Sequence, residues 1–157
     1  MKAKVVYAIA CVTLLSSLGL AQQAASQPGS IVSDANAQST VYVYRYKQFA
    51  GSALSPSVYC DENELARMDN GRYFEVTLSP GQHVFRSNDK QAGINVDLKP
   101  GEKYYIRLEI AAGVMKGHGR LVSVAADQGS YEIKKLKPLD SDKVKDTQHV
   151  TVAAVGN

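Results

Sequence analysis

The chain has 157 residues, 45% of them hydrophobic, with 18 Lys and Arg against 15 Asp and Glu and no Trp. That length fits one domain with an arm or tail. A formal charge of +3 lacks the basic excess on which phosphate binding rests, so nucleic acid is not an expected partner.

Residues 1–21 read as a secretory signal. Lys2 and Lys4 form the charged start, residues 5–15 an apolar stretch, and Gly19-Leu20-Ala21 places small residues before a cut between Ala21 and Gln22. The stretch is shorter than the ~20 residues a spanning helix needs. Cys11 lies inside it with Val12-Thr13-Leu14-Leu15 following, so membrane anchoring is expected only if Cys11 is lipidated. Cleavage removes two of the 18 bases and none of the 15 acids, which lowers the charge from +3 to +1. It also leaves Cys60 alone, without a partner for an internal disulfide. The expected location is periplasmic or secreted.

Residues 22–38, rich in Ala, Gln and Ser, predict a flexible arm. Order is expected from Ser39. Residues 40–47 alternate Val41, Val43, Arg45 and Lys47 against Tyr42, Tyr44 and Tyr46. A short strand follows over 56–60, with Val58 and Cys60 on one face. Asp61-Glu62-Asn63 predicts a turn into a strand over 64–68, and Asn70-Gly71 predicts a hairpin. Phe74, Val76 and Leu78 share a face. The phrase Leu78-Ser79-Pro80-Gly81-Gln82 then returns as Leu98-Lys99-Pro100-Gly101-Glu102, and each copy predicts a corner where proline sets φ and glycine accepts a positive φ. Val84 and Phe85 form a short run before Ser87-Asn88-Asp89. Ile94, Val96 and Leu98 alternate with Asn95 and Asp97. After the second corner Tyr104, Ile106, Leu108 and Ile110 alternate with Lys103, Tyr105, Arg107 and Glu109, a strand with one buried and one wet face. Runs over 120–125 and 131–136 complete the series, with no helical period after residue 21. The polar tail, residues 139–157, ends in Val150-Thr151-Val152, an added edge strand or a fraying end.

This inventory predicts an all-β chain, an antiparallel β-sandwich (Ig-like or prealbumin-like) of about 7–9 short strands over residues 39–138. Its expected core is Phe74, Val76, Leu78, Ile94, Val96, Leu98, Tyr104, Ile106, Leu108 and Ile110. Arg107 is expected to be an isolated surface residue.

Residues 39–138 resemble the bacterial family called domain of unknown function 2846. The phrases that carry the resemblance are Val41-Tyr42-Val43-Tyr44-Arg45, Phe49-Ala50-Gly51-Ser52-Ala53, Val58-Tyr59-Cys60-Asp61, Asn70-Gly71-Arg72-Tyr73-Phe74 and the two Pro-Gly phrases with their flanks. The resemblance implies an exported bacterial β-sandwich, often found in lipoproteins, whose function is not established. The lipobox of such members is not matched here. Cys60 falls where the family tends to place an aliphatic residue, which implies packing. No catalytic residue carries over.

Tyr42, Tyr44 and Tyr46 are the candidate binding residues, because aromatics on one strand face stack on sugar rings or a peptide; cross-strand packing is the competing reading. His83, His118 and His149 are scattered, and none has a second ligand at metal spacing, so no metal and no cofactor are expected. His83 shares parity with Phe85 and reads as half-buried. Asp61, Glu62 and Glu64 read as a solvated turn. Gly113-x-x-x-Gly117-His118-Gly119 lacks the Lys-Ser/Thr ending of a phosphate loop. Ser52, Ser55 and Ser57 stand in no nucleophile elbow. With no catalytic set, the expected function is a non-enzymatic binding or scaffolding module for an unknown protein or envelope component. The alternative is an envelope factor that recognises glycan or peptide through its tyrosine face, with a hydrolase as a third reading.

Overall fold

The computed structural model describes residues 34–88, 92–111 and 118–153. The expected signal, its Ala21–Gln22 cut and Cys11 lie outside them, as does most of the glycine-rich 113–119 connection. Among the described residues the strands are β1 (Ser39–Tyr44), β2 (Ser57–Cys60), β3 (Asn63–Arg67), β4 (Arg72–Leu78), β5 (Gly81–Arg86), β6 (Gly93–Leu98), β7 (Lys103–Ala111), β8 (His118–Val124), β9 (Lys137–Pro138) and β10 (Val150–Thr151). One helix, α1 (Ala126–Ile133), follows β8. The strands form two sheets. The larger has the order β10-β4-β1-β7-β8, with β9 beside β4; the smaller has the order β3-β2-β5-β6.

The all-β sandwich expectation matches this architecture. Period-two alternation makes both inner faces apolar. Val41 and Val43 of β1, Phe74 and Val76 of β4, and Ile106 and Leu108 of β7 are fully buried on the larger sheet. Val58, Leu65, Phe85 and Leu98 are buried on the smaller one, in one continuous core with Met68. Of the expected core, Ile94, Tyr104 and Ile110 are only partly buried and pack at its margin.

Four details differ from the sequence reading. The pairing is mixed: β1 runs antiparallel to β4 but parallel to β7, and β9 runs parallel to β4. The chain reaches β7 by crossing from the smaller sheet, so it arrives in the direction of β1. Secondly, Asn70-Gly71 does not close a hairpin. β3 pairs with β2 while β4 pairs with β1, so this turn carries the chain between sheets. The tight two-residue hairpin is Asp61-Glu62 between the paired Cys60 and Asn63, with φ of 46° and 72° at its two centres. Both values belong to a type I′ turn, a conformation that usually selects Asn-Gly.

Thirdly, residues 131–136 are not a strand, because α1 ends in the first half of that stretch and a turn follows. The buried residues of α1 are Gly129 and Glu132 rather than an apolar stripe, so it lacks the sequence period that would reveal it. Fourthly, residues 34–38 belong to the fold rather than to a flexible arm, while the tail takes its edge-strand alternative. Residues 34–38 make a turn, with Ala37 N–H on Asp34 O, and the Gly101 N–H bonds Ala37 O at 3.1 Å. At the other end Leu139 and Val150 are buried in the core, and β10 adds to the edge of β4.

The two Pro-Gly corners do equivalent jobs. Each carries the chain from one sheet to the other, β4 to β5 and β6 to β7. At the second, φ of 72° at Gly101 and a Glu102 N–H bond to Lys99 O are those of a type II turn.

Candidate functional site

The tyrosine stripe lies on the outer face of the larger sheet. Tyr42 pairs with Tyr105 across the β1–β7 ladder and stacks on it, ring centroids 5.1 Å apart. Helix α1 covers the middle of this face. A Cβ at Gly129 would lie 2.3 Å from Tyr105 Cγ, so glycine is what lets the helix approach the ring. Tyr44 is fully buried and donates its hydroxyl to Glu132 Oε2 at 2.5 Å. Glu132 also accepts from Gln128 Nε2 at 2.7 Å and from Arg107 at 3.3 Å. Burial alone would raise the Glu132 carboxyl, but the bonds from Tyr44, Tyr46, Gln128 and Arg107 together hold it down at about 2. Burial and then Glu132 push the Tyr44 hydroxyl up. Tyr46 meets Tyr44 edge-on, with the Arg107 guanidinium 5.5 Å from its ring centroid. Of the three candidate tyrosines, Tyr42 and Tyr46 keep partial exposure and Tyr44 has none. Arg107 is not the isolated surface residue expected: it is bound to both Glu109 and Glu132.

A second arginine is wholly internal. Arg45, read as part of an alternating strand, is fully buried just past β1. It donates to Leu54 O at 2.5 Å and Gly51 O at 2.7 Å, which fastens the loop between β1 and β2 to the sheet end.

The most convergent polar group is elsewhere, at the end of the smaller sheet. A cavity of about 230 Å³ is lined by Gln38, Cys60, Asp61, Asn63, Leu65, Leu78, Ser79, His83, Asp146 and His149. Cys60 ends β2 opposite Phe85 of β5, so His83, two residues from Phe85, shares its inner face. Asp61 then turns back toward β5: its Oδ1 accepts Val84 N–H at 2.8 Å, and its own N–H donates to Val84 O. Its Oδ2 lies 2.5 Å from His83 Nδ1 and 3.6 Å from Cys60 Sγ, and Sγ lies 3.9 Å from the same Nδ1. The other ring nitrogen, Nε2, faces Ser79 O at 2.9 Å.

The ring is thus held at both nitrogens, by a carboxylate oxygen on one side and a backbone carbonyl on the other. Burial, followed by the Asp61 charge, pushes the Cys60 thiol up to about 12. Asp61 itself is held below the usual carboxylate range: burial opposes ionisation, and Val84 N–H with His83 outweighs it. The residues 144–152 close the cavity's side. Lys145 and Asp146 N–H groups bond Leu65 O, and Thr77 N–H bonds His149 O, so this segment spans both sheets. Asp146 Oδ2 meets His149 Nδ1 at 2.7 Å.

The structure thus brings together Cys60, Asp61 and His83, whose ligating atoms lie within 4.8 Å of one another. In the sequence β3 and β4, one from each sheet, separate His83 from the other two, and the β2–β5 pairing joins them. The parity of Cys60 with Val58 and of His83 with Phe85 was the available signal, but it names a face without naming a neighbour.

No curated protein and no solved structure matches the chain. Residues 35–120 match the family described as a protein of unknown function (DUF2846). That span takes in β1 to β7, both Pro-Gly corners and the Cys60–Asp61–His83 group. The chain belongs to the DUF2846 family.

Proposed function

We propose that the protein is an exported, non-enzymatic binding module of the cell envelope that takes its ligand in the end cavity. The observation that carries this reading is the convergence of unlike polar groups, from Cys60, Asp61 and His83, on one hollow. Their arrangement suits holding more than catalysis. A nucleophile–base–orienter relay puts its two partners on opposite ring nitrogens. Here Cys60 and Asp61 crowd the same nitrogen of His83, and the other is taken by Ser79 O. Export is supported by the signal-like residues 1–21, and no helix among the described residues is long and apolar enough to cross a membrane.

Two measurements test the reading. N-terminal sequencing of the expressed chain is expected to start at Gln22 in a periplasmic or secreted fraction. A cytoplasmic chain that keeps Met1 overturns export, and a lipid-bearing start at Cys11 moves the protein to a membrane leaflet. A photo-crosslinking residue at Ser79, on the cavity rim, is expected to capture the ligand in cells where one at Tyr42 does not. Capture at Tyr42 alone would move binding to the tyrosine face, through the partly exposed Tyr42 and Tyr46. Capture at neither position overturns binding.

A further inference from the structure

We infer that Cys60 Sγ, His83 Nδ1 and an Asp61 carboxylate oxygen are three ligands of a tetrahedral site for a zinc-like divalent metal ion. The inference rests on the cavity reading above and names what the cavity holds. Thiolate, imidazole and carboxylate together are a zinc-type donor set, and softness of the sulfur argues against magnesium or calcium.

The distances fit. Bond lengths of about 2.3 Å to sulfur and about 2.0 Å to nitrogen and oxygen make tetrahedral edges of about 3.3–3.6 Å. The Sγ–Oδ2 and Sγ–Nδ1 separations are 3.6 and 3.9 Å. The Nδ1–Oδ2 edge, at 2.5 Å, has to widen by about 0.8 Å, and the Sγ–Nδ1 edge, at 3.9 Å, to close by about 0.4 Å. The Asp61 side chain has room for this, because it is 44% exposed. A hydrogen-bond contact now spans the Nδ1–Oδ2 edge, and the ion would stand in its place.

The surroundings are also those of a ligand set. His83 Nε2–H is tied to Ser79 O, the outer hydrogen bond that fixes a ligating imidazole with its other nitrogen inward. Asp61 is held by Val84 N–H through the oxygen that does not face the ring. The positive φ at Asp61 and Glu62 closes the turn so that the Asp61 carboxylate reaches both Cys60 and His83. Binding displaces the thiol proton of Cys60, so the ion meets one thiolate, one carboxylate and the Nδ1 lone pair of one imidazole. The fourth position is filled by water or by a donor atom of an incoming ligand from the cavity. His149 and Asp146 line the same hollow and add a second imidazole and carboxylate to its wall.

The test is a Co2+ titration of the full chain after removal of metal with a chelator. One equivalent is expected to raise tetrahedral visible absorption together with a thiolate-to-cobalt charge-transfer band, both abolished by one equivalent of Zn2+. Cys60→Ser should lose the charge-transfer band. His83→Gln and Asp61→Asn should weaken binding by at least about tenfold. Asn accepts positive φ readily, so Asp61→Asn keeps the turn and removes only the charge. Circular dichroism of each metal-free variant confirms that the sheets remain. Absence of a tetrahedral spectrum at one equivalent overturns the inference, as does a band that survives in Cys60→Ser, since it would come from Cys11. Ser79 crosslinking separates the two proposals. Capture there without a cobalt spectrum leaves the binding module and removes the metal; a cobalt spectrum without capture leaves the metal and removes the larger ligand.

Discussion

Arg107 carries a charge into the seam between the larger sheet and α1, and its two carboxylate partners decide what it contributes. From alternation alone, Arg107→Ala should cost under about 0.5 kcal/mol, as at an isolated surface position. The pairs with Glu109 and Glu132, at a side chain only 19% exposed, raise the expected loss to about 1–3 kcal/mol, because charged hydrogen-bond partners are left unmet. Ile106, one residue away and fully buried, should cost about 2–5 kcal/mol when replaced by Ala. Urea unfolding of both variants reads the two numbers, and equal small losses would contradict the Arg107 contacts. Gly129 gives a steric test of the same seam. Gly129→Ala forces a methyl against the rigid Tyr105 ring, and overpacking of this kind costs about 1–3 kcal/mol. Hydrogen exchange should show amides of residues 126–133 losing protection while β1 and β4 keep theirs.

At the scale of elements, the segment after α1 is a strap. β9 extends the larger sheet beside β4, Val144 bridges to Ala66 of the smaller sheet, and β10 returns to β4. Leu139 and Val150 are 2% and 8% exposed, so the strap contributes to the core rather than trailing from it. A chain ended after Pro138 loses both side chains and strips one wall from the cavity. It is expected to be destabilised by more than about 3 kcal/mol, the sum of two buried aliphatic side chains at their ordinary burial worth. A thermal melt unchanged by the truncation would mean that the strap is not part of the folded core.

For the molecule as a whole, Glu132 gives stability a defined acid dependence. Its carboxyl titrates at about 2 when folded against an ordinary 4.5, so it is a depressed group. Its contribution is fully present above 4.5 and is lost as pH falls toward 2. Glu132→Gln cannot ionise and should be less stable than the natural chain at neutral pH. The gap between the two should narrow as pH falls through that window. A gap that stays constant would mean that Glu132 does not bear the charge its partners imply. Other paired acids, Asp61 and Asp146 among them, are also held low and lower the stability of both proteins alike in acid.

The sequence by itself determined which residues face inward, because alternation has a period of two whatever the strand's neighbours. Phe74, Val76, Ile106 and Leu108 were legible for that reason, as were the two Pro-Gly corners and the family. What only the tertiary structure decided was who stands beside whom. A β-ladder joins residues far apart in the chain, so neither the parallel β1–β7 pair nor the crossing at Asn70-Gly71 has a local signal. Helix α1 stayed hidden because its buried face is a glycine and a glutamate chosen to fit Tyr105, Tyr44 and Arg107, and such a face has no apolar period. The cavity site was hidden for the same physical reason. Cys60 and His83 each read as a single inward residue, and they become one donor set only when β2 lies against β5 and the Asp61 turn folds back across both.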